Sequence, residues 1–519
     1  MKLFGLRGGV HPEALKHHTE QHSIRRLPLP QRLYVPLQQH IGAPAKAEVE
    51  VGEQVDQGQL LARSQGLISA PVHAAASGTI IAIEDRPAPH PSGLPVKTIV
   101  IETDGEERPF KNNTEAGDPF QLSPREIADR VGQAGIVGMG GATFPSAVKL
   151  MPNANNPIHT LIINGSECEP YLTCDDRLMQ ERADDVIDGI RLIRHALQAK
   201  HAVLAIEDNK PAAYVAMKDA AQRASGVKVI QIPSRYPMGW EKQLVQIVTG
   251  HEIPHGQLPG GIGVCVHNVG TAFAIHRTLR ADQPLISRIV TVSGGAIKQP
   301  QNLEVPIGAL ISDLIEFCGG LTEQPARLVM GGPMMGQVMP HQQIPIVKGS
   351  SGILALSHHE VDDGPERPCI RCGRCVMACP VGLMPLEMGA KMRADDVTGA
   401  ETLGVQDCIG CGCCSYVCPS KIPLVQYFNY AKGELQSRRI EKSKTQKTRE
   451  LAQARIERRE REAIEKAELK AKRAAAKAEK AEKAAKAAKA VKPAKATETA
   501  QPTAEVPVES SIELTEDSQ

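Results

Sequence analysis

Nine of the chain's thirteen cysteines fall between Cys369 and Cys418, in two runs of one spacing: Cys369-x2-Cys372-x2-Cys375-x3-Cys379-Pro380 and Cys408-x2-Cys411-x2-Cys414-x3-Cys418-Pro419. Thiolates two residues apart on a tight turn reach three irons of one cubane, and the proline leads the chain away after the remote fourth ligand. In two-cluster modules of this kind the fourth cysteine of each run serves the other cluster. One [4Fe-4S] cluster is then expected on Cys369, Cys372, Cys375 and Cys418, and a second on Cys408, Cys411, Cys414 and Cys379. Structural zinc is the competing reading, but zinc sites pair two Cys-x2-Cys units and not two runs of four. Cys413 stands outside the spacing as a spare thiol. A disulfide framework does not fit, because 519 residues bury their own cores and disulfides would spread more evenly.

Charge divides the chain. Residues 438–495 hold 21 Lys/Arg against 9 Asp/Glu, a net +12, and residues 496–519 hold 6 acidic residues and no basic one. Residues 1–437 carry 39 basic and 44 acidic residues, a net −5. A mildly acidic body thus bears a basic arm with an acidic tip. The arm has no aromatic residue to stack on bases, so no specific nucleic-acid partner is expected. No export signal is read at the N-terminus, and no apolar run approaches the roughly 18 residues of a membrane span, so a soluble or peripheral protein is expected.

The spacing of apolar runs and turns predicts a multidomain α/β and α+β protein. Residues 1–123 form an N-terminal region whose β-rich part, about 36–103, resembles the barrel-sandwich of lipoyl carriers without an attachment lysine turn. Residues 124–285 alternate helical and strand-like stretches, an α/β domain with a partly parallel sheet. Residues 286–356 fit a β-grasp-like unit around one helix from Ile311 to Cys318. The cysteine module occupies 357–432, and 433–519 reads as a Lys/Ala/Glu-rich helix followed by disorder past Pro493.

Two segments of the α/β domain are candidate ligand sites. In Gly138-Met139-Gly140-Gly141-Ala142-Thr143-Phe144-Pro145-Ser146-Ala147-Val148-Lys149 a glycine turn lets backbone approach a phosphate or a flat ring, Phe144 can stack, and Lys149 can meet a phosphate. The spacing is neither the usual dinucleotide fingerprint nor a Walker loop. Asn164-Gly165-Ser166-Glu167-Cys168-Glu169-Pro170 follows an apolar strand, and open α/β sheets bind ligands beyond the carboxyl ends of their strands. His251-Glu252-Ile253-Pro254-His255 matches a zinc-protease pattern, but Pro254 lies inside the turn that must be helical.

Together with Val266-His267-Asn268-Val269-Gly270-Thr271, these segments resemble, in the same order, the flavin-bearing, NADH-oxidising subunit of respiratory complex I. With Arg7-Gly8-Gly9-Val10-His11-Pro12 and the double cysteine module added, residues 1 to about 435 are similar to the C subunits of Rnf/Rsx ion-translocating electron transport complexes. The resemblance implies FMN on Gly138, Gly140, Gly141, Asn164, His267 and Asn268, with Glu207 a further neighbour, and NAD(H) near Phe144, Lys149 and Glu169. It implies a soluble-ligand-binding fold for the β-grasp unit and a ferredoxin-type domain for the cysteines. Ser166 and His267 depart from the complex I pattern, which has Asp and Asn there. The implied role is an NADH-linked oxidoreductase subunit, peripheral on the cytoplasmic face of the bacterial inner membrane. Its partners would be the membrane-embedded subunits and a ferredoxin-like carrier, with membrane contact indirect or through the basic tail. An iron–sulfur relay without its own flavin is the alternative, and Ser166 motivates it.

Overall fold

A computed structural model describes residues 3–5, 7–110, 117–151, 156–224, 226–362 and 364–489. The chain divides into two units, Met1–Leu435 and Gln436–Gln519.

The flavin-like domain is built on a four-stranded sheet in the order Lys228–Ile232, His201–Glu207, Thr160–Gly165, Val264–Asn268. Every pairing in it is parallel, where the sequence suggested a partly parallel sheet. The strands are near-continuous apolar runs because both faces are covered. Leu161 and Ile163 pack on one face under the helices Pro124–Gln133, Ala183–Leu197 and Val269–Ala281. Ile162 and Val266 pack on the other, against Glu241–Thr249. The helix starts are written locally: Ser123 and Glu126 form a reciprocal capping box, and the Asn268 side chain caps Val269–Ala281 by accepting from Gly270 N at 2.8 Å.

Two small antiparallel sheets make the barrel-sandwich: one of four strands (Arg32–Pro36, Pro95–Thr103, Gly78–Pro87, Gln54–Val55) and one of three (Lys46–Ala47, Leu60–Arg63, Val72–His73). The β-grasp sheet, Ser287–Ser293 through Gly352–Leu356, carries the helix Ile311–Phe317 and gains an edge strand from the N-terminus, Arg25–Arg26, parallel to Gln301–Pro306. These two regions, separable by sequence, share one apolar core in which Leu33, Ile80 and Ile99 join Val290, Leu303 and Leu314. They are one packed body and not two beads.

Before Leu424 the helices of the cysteine module are short, among them Arg374–Ala378, Pro385–Arg393 and Cys413–Tyr416. The last helix, Leu424–Lys489, starts inside this module, earlier than the charge pattern alone predicts, and at 66 residues is about 99 Å long. Residues 436–488 are exposed throughout, with Ile440, Leu451, Ile456 and Ile464 on no common side, so the arm is solvated all round. Spaced ion pairs support it, Glu479 with Lys483 at 2.6 Å and Glu482 with Lys486 at 2.8 Å. The disorder expected past Pro493 lies outside the described residues. No helix among the described residues is long and apolar enough to cross a membrane.

Candidate functional site

The two cysteine runs fold alike. In each, a glycine in the left-handed region, Gly373 (φ 73°) or Gly412 (φ 78°), turns the chain into a short helix that carries the third thiol. Arg371 N lies 3.4 Å from Cys369 Sγ and Gly410 N lies 3.4 Å from Cys408 Sγ, so the first thiol of each run accepts a backbone N–H. Cys369, Cys372, Cys375 and Cys418 line one cavity of about 420 Å³, and Cys379, Cys408, Cys411 and Cys414 line another of about 340 Å³. The fourth cysteine of each run has crossed to the other cavity, as the spacing requires. Cys413 is buried beside the second cavity.

The α/β domain holds the backbone of two residues that line the second cavity. Tyr236 OH donates to Cys411 O at 2.8 Å, and Gln243 Nε2 donates to Pro380 O at 3.0 Å. The N-terminal Gly8-Gly9-Val10 threads between the two: Gly9 N donates to Ala378 O at 2.9 Å, and Val10 pairs with Tyr236 through bonds of 2.9 and 3.0 Å. A Cβ on Gly8 would lie 2.3 Å from Cys379 O, so only glycine fits there. Val10, Tyr236, Ala378, Cys411 and Cys413 form one buried cluster with Cys168 and Met334 against it.

The α/β site lies at the carboxyl edge of the parallel sheet. Asn164 and Asn268 stand opposite each other in register on adjacent strands. The glycine turn closes over them through Gly138 N donating to Phe144 O at 2.8 Å and Met139 N donating to Thr271 Oγ1 at 3.0 Å. A Cβ on Gly140 would lie 3.5 Å from Asn268 Cβ, while Gly141, exposed at φ 114°, has open space where a side chain would project. Asn164 is held by its own loop: its Oδ1 accepts from Ser166 Oγ at 2.6 Å and Ser166 N at 3.1 Å, and its Nδ2 donates to Gly239 O at 2.8 Å. Ser166 therefore orients the asparagine. Asn268 Nδ2 donates to Asp175 Oδ2 at 2.6 Å.

Beneath the loop lies a buried charge network. Lys210 Nζ reaches Ser166 O at 2.6 Å, Asn209 Oδ1 at 3.0 Å and Glu207 Oε2 at 3.2 Å. Burial works against its charge, but the carboxylates of Glu207, Glu167 and Asp176 outweigh that and raise its pKa. Lys16, from the N-terminal segment, donates to Glu167 O and Glu169 O, both at 3.0 Å, and to Leu172 O. Glu167 in turn accepts Asp175 N at 2.7 Å and Asp176 N at 3.2 Å at the start of helix Cys174–Glu181.

These contacts place the remaining sequence candidates. His267 is buried with its pKa pushed down to about 3, by burial first and then by Lys149. Glu207 is buried against Lys210. Lys149 donates to Glu241 Oε1 at 2.9 Å and Val266 O at 3.1 Å, and Phe144 is half-buried on the turn. Glu169 accepts Met334 N at 2.9 Å and Met335 N at 3.0 Å from the β-grasp unit, and burial pushes its pKa up to about 7. The His251–His255 segment is not helical, and it holds no shared metal-ligand group among the described residues.

Comparison with known proteins agrees with this layout. Family models match an RnfC barrel sandwich hybrid domain at residues 4–106, a Nuo51 FMN-binding domain at 131–277, an SLBB domain at 289–338 and a 4Fe-4S dicluster domain at 368–422. The chain is 50% identical over 444 residues, 85% of each chain, to a Rhodobacter capsulatus protein named as the C subunit of an ion-translocating oxidoreductase complex. This chain belongs to that family of C subunits. A second member, from Clostridium ljungdahlii and named as the C subunit of a proton-translocating ferredoxin:NAD(+) oxidoreductase complex, is 43% identical over 433 residues, 83% of this chain and 94% of its own.

The protein is thus an electron-transfer component of an oxidoreductase, with an FMN-binding domain and a 4Fe-4S dicluster domain. Its residues fit both groups. Four thiols converge on each cysteine cavity. Of the residues the resemblance implies for FMN, His267 Nε2 and Glu207 Oε1 are buried without a hydrogen-bond partner, and Gly141 leaves open space where a side chain would project. Four functional side chains are not legible in the sequence: Lys16, Lys210, Tyr236 and Gln243 act over long stretches of chain, and nothing in their local sequence marks them.

Proposed function

We propose that the protein exchanges hydride with NAD(H) at FMN on the glycine turn and passes electrons singly through two [4Fe-4S] clusters. FMN supplies the conversion between an electron pair and single electrons, and each cluster carries one electron. Gly138, Gly140 and Gly141 offer backbone to the flavin, and Asn164 and Asn268 orient it from adjacent strand ends. His267 Nε2 and Glu207 Oε1, buried without a hydrogen-bond partner, are offered to it as polar contacts. Phe144, Lys149 and Glu169 border the side on which the nicotinamide nucleotide arrives. Of these, Lys149 and Glu169 hydrogen-bond to protein groups. The eight cysteines hold the clusters with the crossed pairing.

The observation that carries this reading is the bond from Tyr236, on the flavin-binding domain, to the backbone of Cys411. It supports one order of transfer, with the Cys379/Cys408/Cys411/Cys414 cluster as the inner one and the Cys369/Cys372/Cys375/Cys418 cluster as the outer one. Ion movement belongs to membrane-embedded partner subunits, since no described helix crosses a membrane. The protein sits peripherally on the cytoplasmic face of the inner membrane, and a ferredoxin-like carrier stands at the far end of the chain of transfers.

Ser166 motivates the alternative of a relay that keeps the fold without its own flavin, and the bond from its hydroxyl to Asn164 supports the flavin reading by giving the serine a place in the site. Anaerobic reconstitution tests the reading. FMN should bind, and NADH should bleach it and reduce the clusters. Protein that holds clusters yet neither takes up FMN nor responds to NADH contradicts it.

A further inference from the structure

Beside the outer cluster cavity an open groove of about 1060 Å³ is lined by Gly9, Arg235, Arg374, Met377, Tyr416 and Cys418, among other residues. Two features set it apart. Its lining contains two arginines and no carboxylate, on a body whose residues 1–437 carry a net −5. Neither guanidinium has a hydrogen bond or ion pair among the described residues, and Arg235 Nε is buried without a partner. Its apolar groups are also unusually open: Met377 is 70% and Tyr416 54% exposed. Large exposed apolar side chains rimmed by unpaired charge mark a surface that meets another protein.

We propose that this groove docks a one-electron partner, a redox protein or domain with an acidic face around an apolar centre. The flavin-binding domain is bonded to the backbone of the inner cavity, which leaves the outer one for exchange with a partner, and Cys418, a thiol of that outer cavity, lines the groove itself. The proposal rests on the transfer order given above. The step is balanced without a proton: the outer cluster loses one electron, the partner's centre gains one, and the reverse holds for the opposite flow. The arginines steer the encounter and fix the register, and Met377 and Tyr416 supply the contact that holds it.

The test uses the full chain with clusters loaded, immobilised under anaerobic conditions, and two probes: a small bacterial ferredoxin of strongly negative charge and a basic cytochrome c. The acidic ferredoxin should bind and the cytochrome should not, and raising salt from about 0.05 to 0.5 M should weaken binding by at least about tenfold. Arg374→Glu should weaken it about tenfold at low salt and flatten the salt dependence, and Tyr416→Ala should weaken it severalfold at every salt concentration. Iron content and the electron paramagnetic resonance of both clusters should match wild type in each variant, which separates lost docking from lost clusters. Equal binding of both probes, unchanged affinity in Arg374→Glu, or self-association of the chain that Tyr416→Ala abolishes would each overturn the proposal. Because binding is read without NADH, a failure of nucleotide oxidation leaves this result standing, and the converse also holds.

Discussion

The two cysteine cavities come from one repeated spacing, yet their surroundings differ. The inner cavity has its backbone held by residues far away in the chain: Gly8 against Cys379, Tyr236 on Cys411 and Gln243 on Pro380. The outer cavity has Cys372 and Ile370 at the surface and a groove without carboxylates beside it. A near-symmetric module is thereby given a direction: one end is welded to the flavin-binding domain and the other is left for traffic. The cysteine spacing builds the pair, and the roles proposed for its two members rest on the asymmetric packing around it.

The largest expected effect separates the cavities outright. Cys411→Ser and Cys372→Ser should each lower iron from about eight to about four atoms per chain. Cys411→Ser should slow NADH-driven reduction of the outer cluster by at least about a hundredfold, whereas Cys372→Ser should leave reduction of the inner cluster at the wild-type rate. Iron assay and stopped-flow absorbance would check both. If the two serine variants behave alike, the module has no direction.

Packing comes next. Gly8 and Gly373 both have positive φ, so alanine strains either by about 1 kcal/mol. Only at Gly8 does the new Cβ also strike backbone, at 2.3 Å from Cys379 O, while nothing lies within 4 Å at Gly373. Gly8→Ala should therefore cost about 2–4 kcal/mol in chemical denaturation and Gly373→Ala about 1 kcal/mol. A smaller effect is expected for Tyr236→Phe, which leaves Cys411 O without its donor: about 1 kcal/mol of stability, and slower transfer to the inner cluster with the outer cluster's spectrum unchanged.

The smallest effect is a pH dependence. Glu169 has its pKa raised from the model-compound value of 4.5 to about 7 by burial, against the pull of the two N–H groups it accepts. A raised carboxyl pKa means that the folded chain binds the proton more tightly than the unfolded one. The stability it contributes is full below pH 4.5 and is lost as pH rises through about 7. The melting temperature should fall by a few degrees between pH 5 and 8, and Glu169→Gln should flatten that slope. A slope unchanged in the variant would assign the dependence to other groups.

Much of this arrangement is legible in the sequence because it is local. Cysteine spacing, the glycine turn and the strand-end asparagines occupy short contiguous segments, and each segment folds where its own chemistry puts it. The edge strand Arg25–Arg26, the shared core of the barrel and β-grasp units, and the Lys16 contacts are fixed by tertiary packing, which no single segment encodes. Lys149 and Glu169 show the middle case. The sequence offers both as candidates, but their partners in the fold, Glu241 and the Met334–Met335 backbone, lie far along the chain and are not marked in it.

The transfer order is tested most directly by rapid-freeze electron paramagnetic resonance of the reconstituted protein after mixing with NADH. The Cys379/Cys408/Cys411/Cys414 signal should appear first and the Cys369/Cys372/Cys375/Cys418 signal should follow from it. Appearance of the outer signal first, or its undiminished rate in Cys411→Ser, would contradict the account.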